Sequence, residues 1–216
     1  MIIHIVGGGP KHFYPPLGPY DGSSVVWVGV DRGVKRLLDE KITPHVAFGD
    51  FDSVTENEWE EINQAVSHIK KFVPEKDETD MELALNWAIR QQPERVRIFG
   101  ATGGRLDHFM ANVQLLTLDS VLRLEGKVEL IDDQNIIAVY PPGEYRLPII
   151  HDKKYVSFLP LTLTVKQLSL QGFKYPLHQR DIFMGSTLTI SNELKEDYGT
   201  FSFTEGILMM IRSNDL

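Results

Sequence analysis

Five short apolar runs constrain this chain more than any other feature. They are IIHIV (2–6), VVWVGV (25–30), HVAF (45–48), HIKKFV (68–73) and RVRIF (95–99). Brief runs rich in Val, Ile and Phe suit strands covered on both faces, as in a parallel sheet. Helical patterns lie between them, at 33–40, 55–66, 80–92 and 106–118. Thr55 with Glu58, and Thr79 with Glu82, have the spacing of capping boxes. Leu106, Phe109, Met110, Val113 and Leu116–Leu118 recur at helical spacing. Alternating strands and helices predict an α/β layer fold with right-handed crossovers.

After about residue 127 the pattern changes. KVELI, NIIAVY, KYVSFL, LTLTV, QLSLQ, STLTIS, TFSFT and ILMMIR read as short strands, separated by turn signals such as Pro141-Pro142-Gly143, Gly172, Gly185 and Gly206. The expected architecture is an α/β domain with a parallel sheet over 1–127, followed by an all-β sandwich or barrel over 128–216.

Each run in the α/β half is followed by a glycine or acid cluster: Gly7-Gly8-Gly9-Pro10, Asp31-Arg32-Gly33, Gly49-Asp50-Phe51-Asp52-Ser53, Lys76-Asp77-Glu78-Thr79-Asp80, and Gly100 through His108 (GATGGRLDH). In an open parallel sheet the carboxyl ends of the strands share one edge, where ligands bind. Each cluster also has a plain structural explanation. Asp50 and Asp52 are common turn residues, Thr79 is a natural N-cap, and Asp80 and Asp107 suit first helical turns. What favours a site is that all five fall at the same edge.

Carboxylates without a Cys or His cluster form a hard-oxygen donor set, which suits Mg²⁺ bound together with substrate phosphates. If residues 50–52 are extended, Asp50 and Asp52 project to one side and Phe51 to the other, into the core. Arg105, at a helix start after two glycines, is placed to contact phosphate, and Lys76 adds a point charge. There is no Walker A sequence, no GxGxxG fingerprint and no GxSxG motif.

The chain has 216 residues, a net charge of −8 and no cysteine. Disulfides and thiolate chemistry are excluded. The acidic balance disfavours nucleic-acid and anionic-membrane partners. Neither a signal peptide nor an 18-residue apolar run is evident, so a soluble cytoplasmic protein is expected.

GDFDS (49–53), KDETD (76–80) and GATGGRLDH (100–108) resemble, in order and spacing, the three signature blocks of the thiamine pyrophosphokinase family. IVGGGP and VGVDRG fit its opening, and GFKYPL (172–177) and GSTLTISNEL (185–194) look like its thiamine-binding domain. The resemblance implies a Rossmann-like α/β domain followed by a β-sandwich domain, working as a homodimer that transfers a pyrophosphoryl group from ATP to the hydroxyl of thiamine, giving thiamine diphosphate and AMP, with Mg²⁺. By motif, Asp50 and Asp52 would hold the ion, with Asp80 as ligand or base. Asp31, Lys76, Asp77, Thr79 and Gly104 would lie at the nucleotide, Arg105 on its phosphates, and Asp107 beside the reacting groups. Ser191 and Asn192 would contact thiamine. Some members carry a stacking tryptophan where this chain has Ile207. Another Mg²⁺-dependent phosphotransferase, a nucleotide hydrolase or a non-enzymatic nucleotide-binding module are the alternatives at this stage.

Overall fold

The computed structural model describes residues 1–51, 54–66, 68–71 and 77–215. The elements in chain order are β1 (Ile2–Val6), β2 (Val25–Val30), α1 (Arg32–Asp39), β3 (Val46–Gly49), α2 (Glu56–Ala65), β4 (Ile69–Lys71), α3 (Asp80–Arg90), β5 (Arg95–Phe99), α4 (Leu106–Leu115), α5 (Asp119–Leu122) and β6 (Val128–Ile131). They continue as β7 (Asn135–Tyr140), β8 (Gly143–Pro148), β9 (Tyr155–Pro160), β10 (Thr164–Gln171), β11 (Leu177–Phe183), β12 (Asn192–Glu193), β13 (Tyr198–Phe203) and β14 (Leu208–Ser213). The chain forms two compact units, one of residues 1–115 with 127–133 and one of residues 116–126 with 134–216.

The first unit carries parallel strands in the order β6-β5-β1-β2-β3-β4. Both faces of β1 and β2 are buried: Ile3, Ile5, Val6, Trp27 and Val28 are at most 2% exposed, as the apolar runs require. Each such side chain contributes about 1.5–3 kcal/mol by leaving water. The strand order reverses at β1, since β2, β3 and β4 extend to one side and β5 and β6 to the other. Such a switch point opens a crevice beyond the carboxyl ends of the flanking strands. Val128–Ile131, expected among the strands of the β half, instead pairs in parallel with β5.

Helix starts follow the sequence signals. The Glu58 N–H donates to Thr55 Oγ1 (3.3 Å) while Thr55 N–H donates to the Glu58 carboxylate (2.8 Å), a complete capping box at α2. At α3 the Glu82 N–H donates to Thr79 Oγ1 at 3.2 Å. α4 stops at Leu115, short of the expected 118, and α5 begins a few residues later.

The second unit is an antiparallel sandwich. One sheet runs β12-β9-β14-β7 and the other β11-β10-β13-β8. Tyr140, Phe158 and Met210 from the first pack with Leu147, Leu168, Leu170, Ile182 and Phe201 from the second in one core. LTLTV and QLSLQ, expected as separate strands, merge into β10 across an irregularity in which Gln167 takes φ 56°. STLTIS is not a strand: residues 188–190 turn there, with the Ile190 N–H donating to Thr187 O. β11 escaped the sequence analysis because it is an edge strand, mostly exposed and carrying His178, Gln179, Arg180 and Asp181. An edge needs little apolar pattern, and its charges discourage further pairing.

Candidate functional site

A cavity of about 900 Å³ lies at the carboxyl edge of the parallel strands. Its walls come from the segments after β1 (Gly7–Pro10), β2 (Asp31, Arg32) and β5 (Gly100–Arg105), and from the N-terminal turns of α3 and α4. Of the expected residues, Asp31, Asp77, Thr79, Asp80, Gly104, Arg105 and Asp107 all line it. Asp50 follows β3, half-buried, and is not among the lining residues. Asp52 and Lys76 lie outside the described residues.

Close backbone packing builds the cavity wall. α1 starts so near β1 that a Cβ on Gly33 would sit 1.8 Å from the Val6 carbonyl oxygen, so only glycine fits. Asp31 adopts φ 49°, ψ −123°, sparsely populated for a side-chain-bearing residue, and its N–H donates to Phe48 O at 2.9 Å. Its carboxylate fills the space a Cβ on Gly49 would need, 2.1 Å away. Strain of this kind persists where the surrounding structure enforces it, and it clusters at functional sites.

Phe51 is buried, 6% exposed, and packs on Trp59 with ring centroids 5.1 Å apart. Its expected place in the core holds. The expected extended conformation does not, since Phe51 takes φ 59° and period-two alternation cannot be assumed across it.

At the cavity rim Arg105 grips Asp107 with two hydrogen bonds, Nε to Oδ1 at 3.1 Å and Nη2 to Oδ2 at 2.6 Å. This fork lowers the Asp107 carboxyl to about 2, helped by the His108 N–H that donates to Oδ1 at 2.9 Å. Both side chains are well exposed, 72% and 64%, so solvent competes for the pair and an incoming anion can reach the guanidinium.

Asp31, Asp77, Glu78, Asp80 and Asp107 give the lining five carboxylates, against the guanidiniums of Arg32 and Arg105. This donor set is hard oxygen and its net sign is negative. Oxygen donors of this type are those a divalent cation such as Mg²⁺ prefers, and they do not by themselves suit a bare polyphosphate. Among the described residues no group of three His, Asp or Glu is close enough to hold a metal ion.

In the β unit, Ser191 takes φ 55° and its N–H donates to Ser157 Oγ. Asn192 is 2% exposed and both ends of its amide are engaged. Oδ1 accepts from the Tyr175 N–H (3.0 Å) and the Glu193 N–H (2.9 Å), and Nδ2 donates to Tyr175 O (2.8 Å). The side chain therefore fixes the loop at 172–177. Ile207 is held by its backbone, donating to Thr162 Oγ1 and accepting from the Leu161 N–H.

Arg32 and Asn112 are among the lining residues that were missed. Arg32 was passed over beside Asp31, although its place at a helix start was visible. Asn112 lies four positions after His108 on α4, and its Nδ2 donates to Ala101 O at 3.0 Å, tying the 100–105 loop to the helix. That i, i+4 spacing was the available signal.

The fold and cavity define an α/β ligand-binding protein of the switch-point type, joined to a β sandwich. The family model for the thiamin pyrophosphokinase catalytic domain matches residues 20–124, and that for its vitamin B1 binding domain matches 144–208. The thiamine pyrophosphokinase of Bacillus subtilis (strain 168) is 50% identical over 213 residues, 99% of either chain. The crystal structure of the Bacillus subtilis thiamine pyrophosphokinase superimposes with TM-score 0.93 at 49% identity, covering 100% of each chain. That of the Geobacillus thermodenitrificans thiamin pyrophosphokinase gives 0.92 at 50% identity, covering 100% of this chain and 98% of the other. This chain belongs to the thiamine pyrophosphokinase family.

Proposed function

We propose that this chain transfers a pyrophosphoryl group from ATP to the hydroxyl of thiamine, giving thiamine diphosphate and AMP. The observation that supports it most is the Arg105–Asp107 fork on the rim of a carboxylate-lined switch-point cavity, in a chain of this family.

The hydroxyl oxygen forms a bond to the β-phosphorus, and the bond from that phosphorus to the bridging oxygen of AMP breaks. The hydroxyl proton passes to a carboxylate and AMP leaves with the bond pair. The chain's share of the work is alignment and neutralisation of charge. Glycine-rich backbone after β1 and β5 lets the phosphates approach closely. Arg105 exchanges its intramolecular carboxylate for phosphate oxygens, a swap of like for like in charge and geometry. Asp107 is then released beside the transferred group. Asp50, Asp52 and Asp80 would hold Mg²⁺, which when bound would supply Lewis-acid neutralisation of the polyphosphate. Asp80 or Asp107 accepts the hydroxyl proton.

Asp31, Lys76, Asp77, Thr79 and Gly104 surround the nucleotide. Ser191 contributes to holding thiamine directly, and Asn192 does so through the Tyr175 loop. The working form is a cytoplasmic homodimer. Among the described residues no helix is long and apolar enough to cross a membrane. Incubation with thiamine, ATP and Mg²⁺ followed by chromatography should yield thiamine diphosphate and AMP in equal amounts. ADP or free phosphate as the nucleotide-derived product would point to another phosphotransferase or a hydrolase.

A further inference from the structure

The loop after β5 owes its shape to a segment that carries none of the expected site residues. Gly100, Gly103 and Gly104 all have positive φ, at 64°, 75° and 67°. For each, a residue of the short stretch Pro10–Tyr14 stands where a Cβ would point. A Cβ on Gly100 would lie 2.0 Å from Tyr14 Oη. On Gly103 it would lie 2.4 Å from the Phe13 ring, and on Gly104 3.5 Å from Pro10 Cγ. The stretch is fixed at its far side too, because Phe13 O accepts from the Asp133 N–H at 2.9 Å.

The same stretch ties the loop after β5 to the loop after β1. Tyr14 Oη–H donates to Gly7 O. The Gly9 N–H donates to Gly100 O at 3.0 Å, and a Cβ on Gly9 would come within 2.6 Å of that oxygen. The Arg36 guanidinium lies 5.0 Å from the Tyr14 ring centroid and holds the ring from α1. Burial pushes the Tyr14 hydroxyl up to about 12, so it remains a donor at any working pH. The two loops that this contact joins lie side by side in the cavity lining, after the paired strands β1 and β5.

We propose that Tyr14 and Phe13 are positioning residues for the nucleotide phosphates: they form a strap that sets the spacing of the 7–9 and 100–104 loops. The inference rests on the proposed function only in taking those loops to be the phosphate cradle. Neither side chain touches the ligand. Their effect passes through the backbone amides whose directions they fix, and misplacing such amides by a fraction of an ångström weakens anion binding.

The test is calorimetric binding of ATP with Mg²⁺, and separately of thiamine, to the full chain and to its Tyr14→Phe and Phe13→Leu variants, with thermal melting alongside. Tyr14→Phe keeps the ring and removes one hydrogen bond. The expected result is an ATP Kd raised about two- to tenfold, matching the loss of one such bond. Thiamine affinity stays unchanged and the melting temperature remains close to that of the parent. Phe13→Leu, which leaves Gly103 without its flat support, shifts ATP binding in the same direction; it decides the matter if Tyr14→Phe does not fold. An unchanged ATP Kd in the folded variants, or an equal loss of ATP and thiamine binding, overturns the strap. So does a parent chain that binds no ATP. A parent that binds ATP yet makes no thiamine diphosphate overturns the proposed reaction instead, and the variants' Kd ratio still decides the strap.

Discussion

Arg105 and Asp107 face each other two residues apart, and the guanidinium fork is closed on a carboxylate of the same helix start. A carboxylate and a phosphate present the same paired oxygens to arginine. The resting site thus holds its own anion, and on the proposed reading nucleotide binding is an exchange.

Arg105→Ala should therefore lower turnover by roughly a hundredfold or more, the scale seen when one preorganised charge contact is removed. The melting temperature should barely move, because the pair is exposed and contributes little to folding. Steady-state kinetics with a thermal melt check both. Loss of fold along with activity would show that the pair is structural.

Removing divalent ions with a chelator should abolish turnover, and Mg²⁺ should restore it. Among the described lining residues five carboxylates outnumber the two guanidiniums, so a polyphosphate needs further positive charge. Asp50→Asn and Asp80→Asn should each raise the Mg²⁺ concentration needed for half-maximal rate. Full turnover in the presence of excess chelator would remove the ion from the account.

His4 offers a pH test of the core. It is fully buried in β1 between Trp27, Tyr20 and Phe99, and Nε2 lies 3.1 Å from Tyr20 O. Burial, with Arg97 nearby, lowers it from 6.5 to about 4. The unfolded chain then binds the proton first. Stability should be full above about pH 6.5, fall as pH drops toward 4, and level off below that. The loss is on the order of 3 kcal/mol at the acid end of the window. Denaturant melts across this range should show a steeper fall for the parent than for His4→Leu. Parallel curves would contradict the assignment.

Asn192→Ala should cost about 1–3 kcal/mol, since Tyr175 and Glu193 lose their partner in a buried setting. For a chain of this size that is about 2–4 °C of melting temperature per kcal/mol. Thiamine affinity should fall with it. An unchanged melt would mean that the 172–177 loop is held by other contacts.

The parallel strands were legible because their burial on both faces leaves continuous apolar runs, from Ile2–Val6 to Arg95–Phe99. The glycine and acid clusters were legible because topology forces strand ends to one edge. The left-handed turn at Phe51 was not, since nothing in GDFDS distinguishes it from extended chain. β11 was hidden by its exposure, and the structural use of the Asn192 amide depends on a partner, Tyr175, that is 17 residues away in sequence. Long-range pairings of that kind leave no local pattern.

The most direct test of the central claim uses ATP labelled at the β-phosphorus, with thiamine and Mg²⁺. Attack at that atom predicts all transferred label in thiamine diphosphate and unlabelled AMP as the other product. Label retained in ADP, with phosphate arriving on thiamine one group at a time, would contradict it.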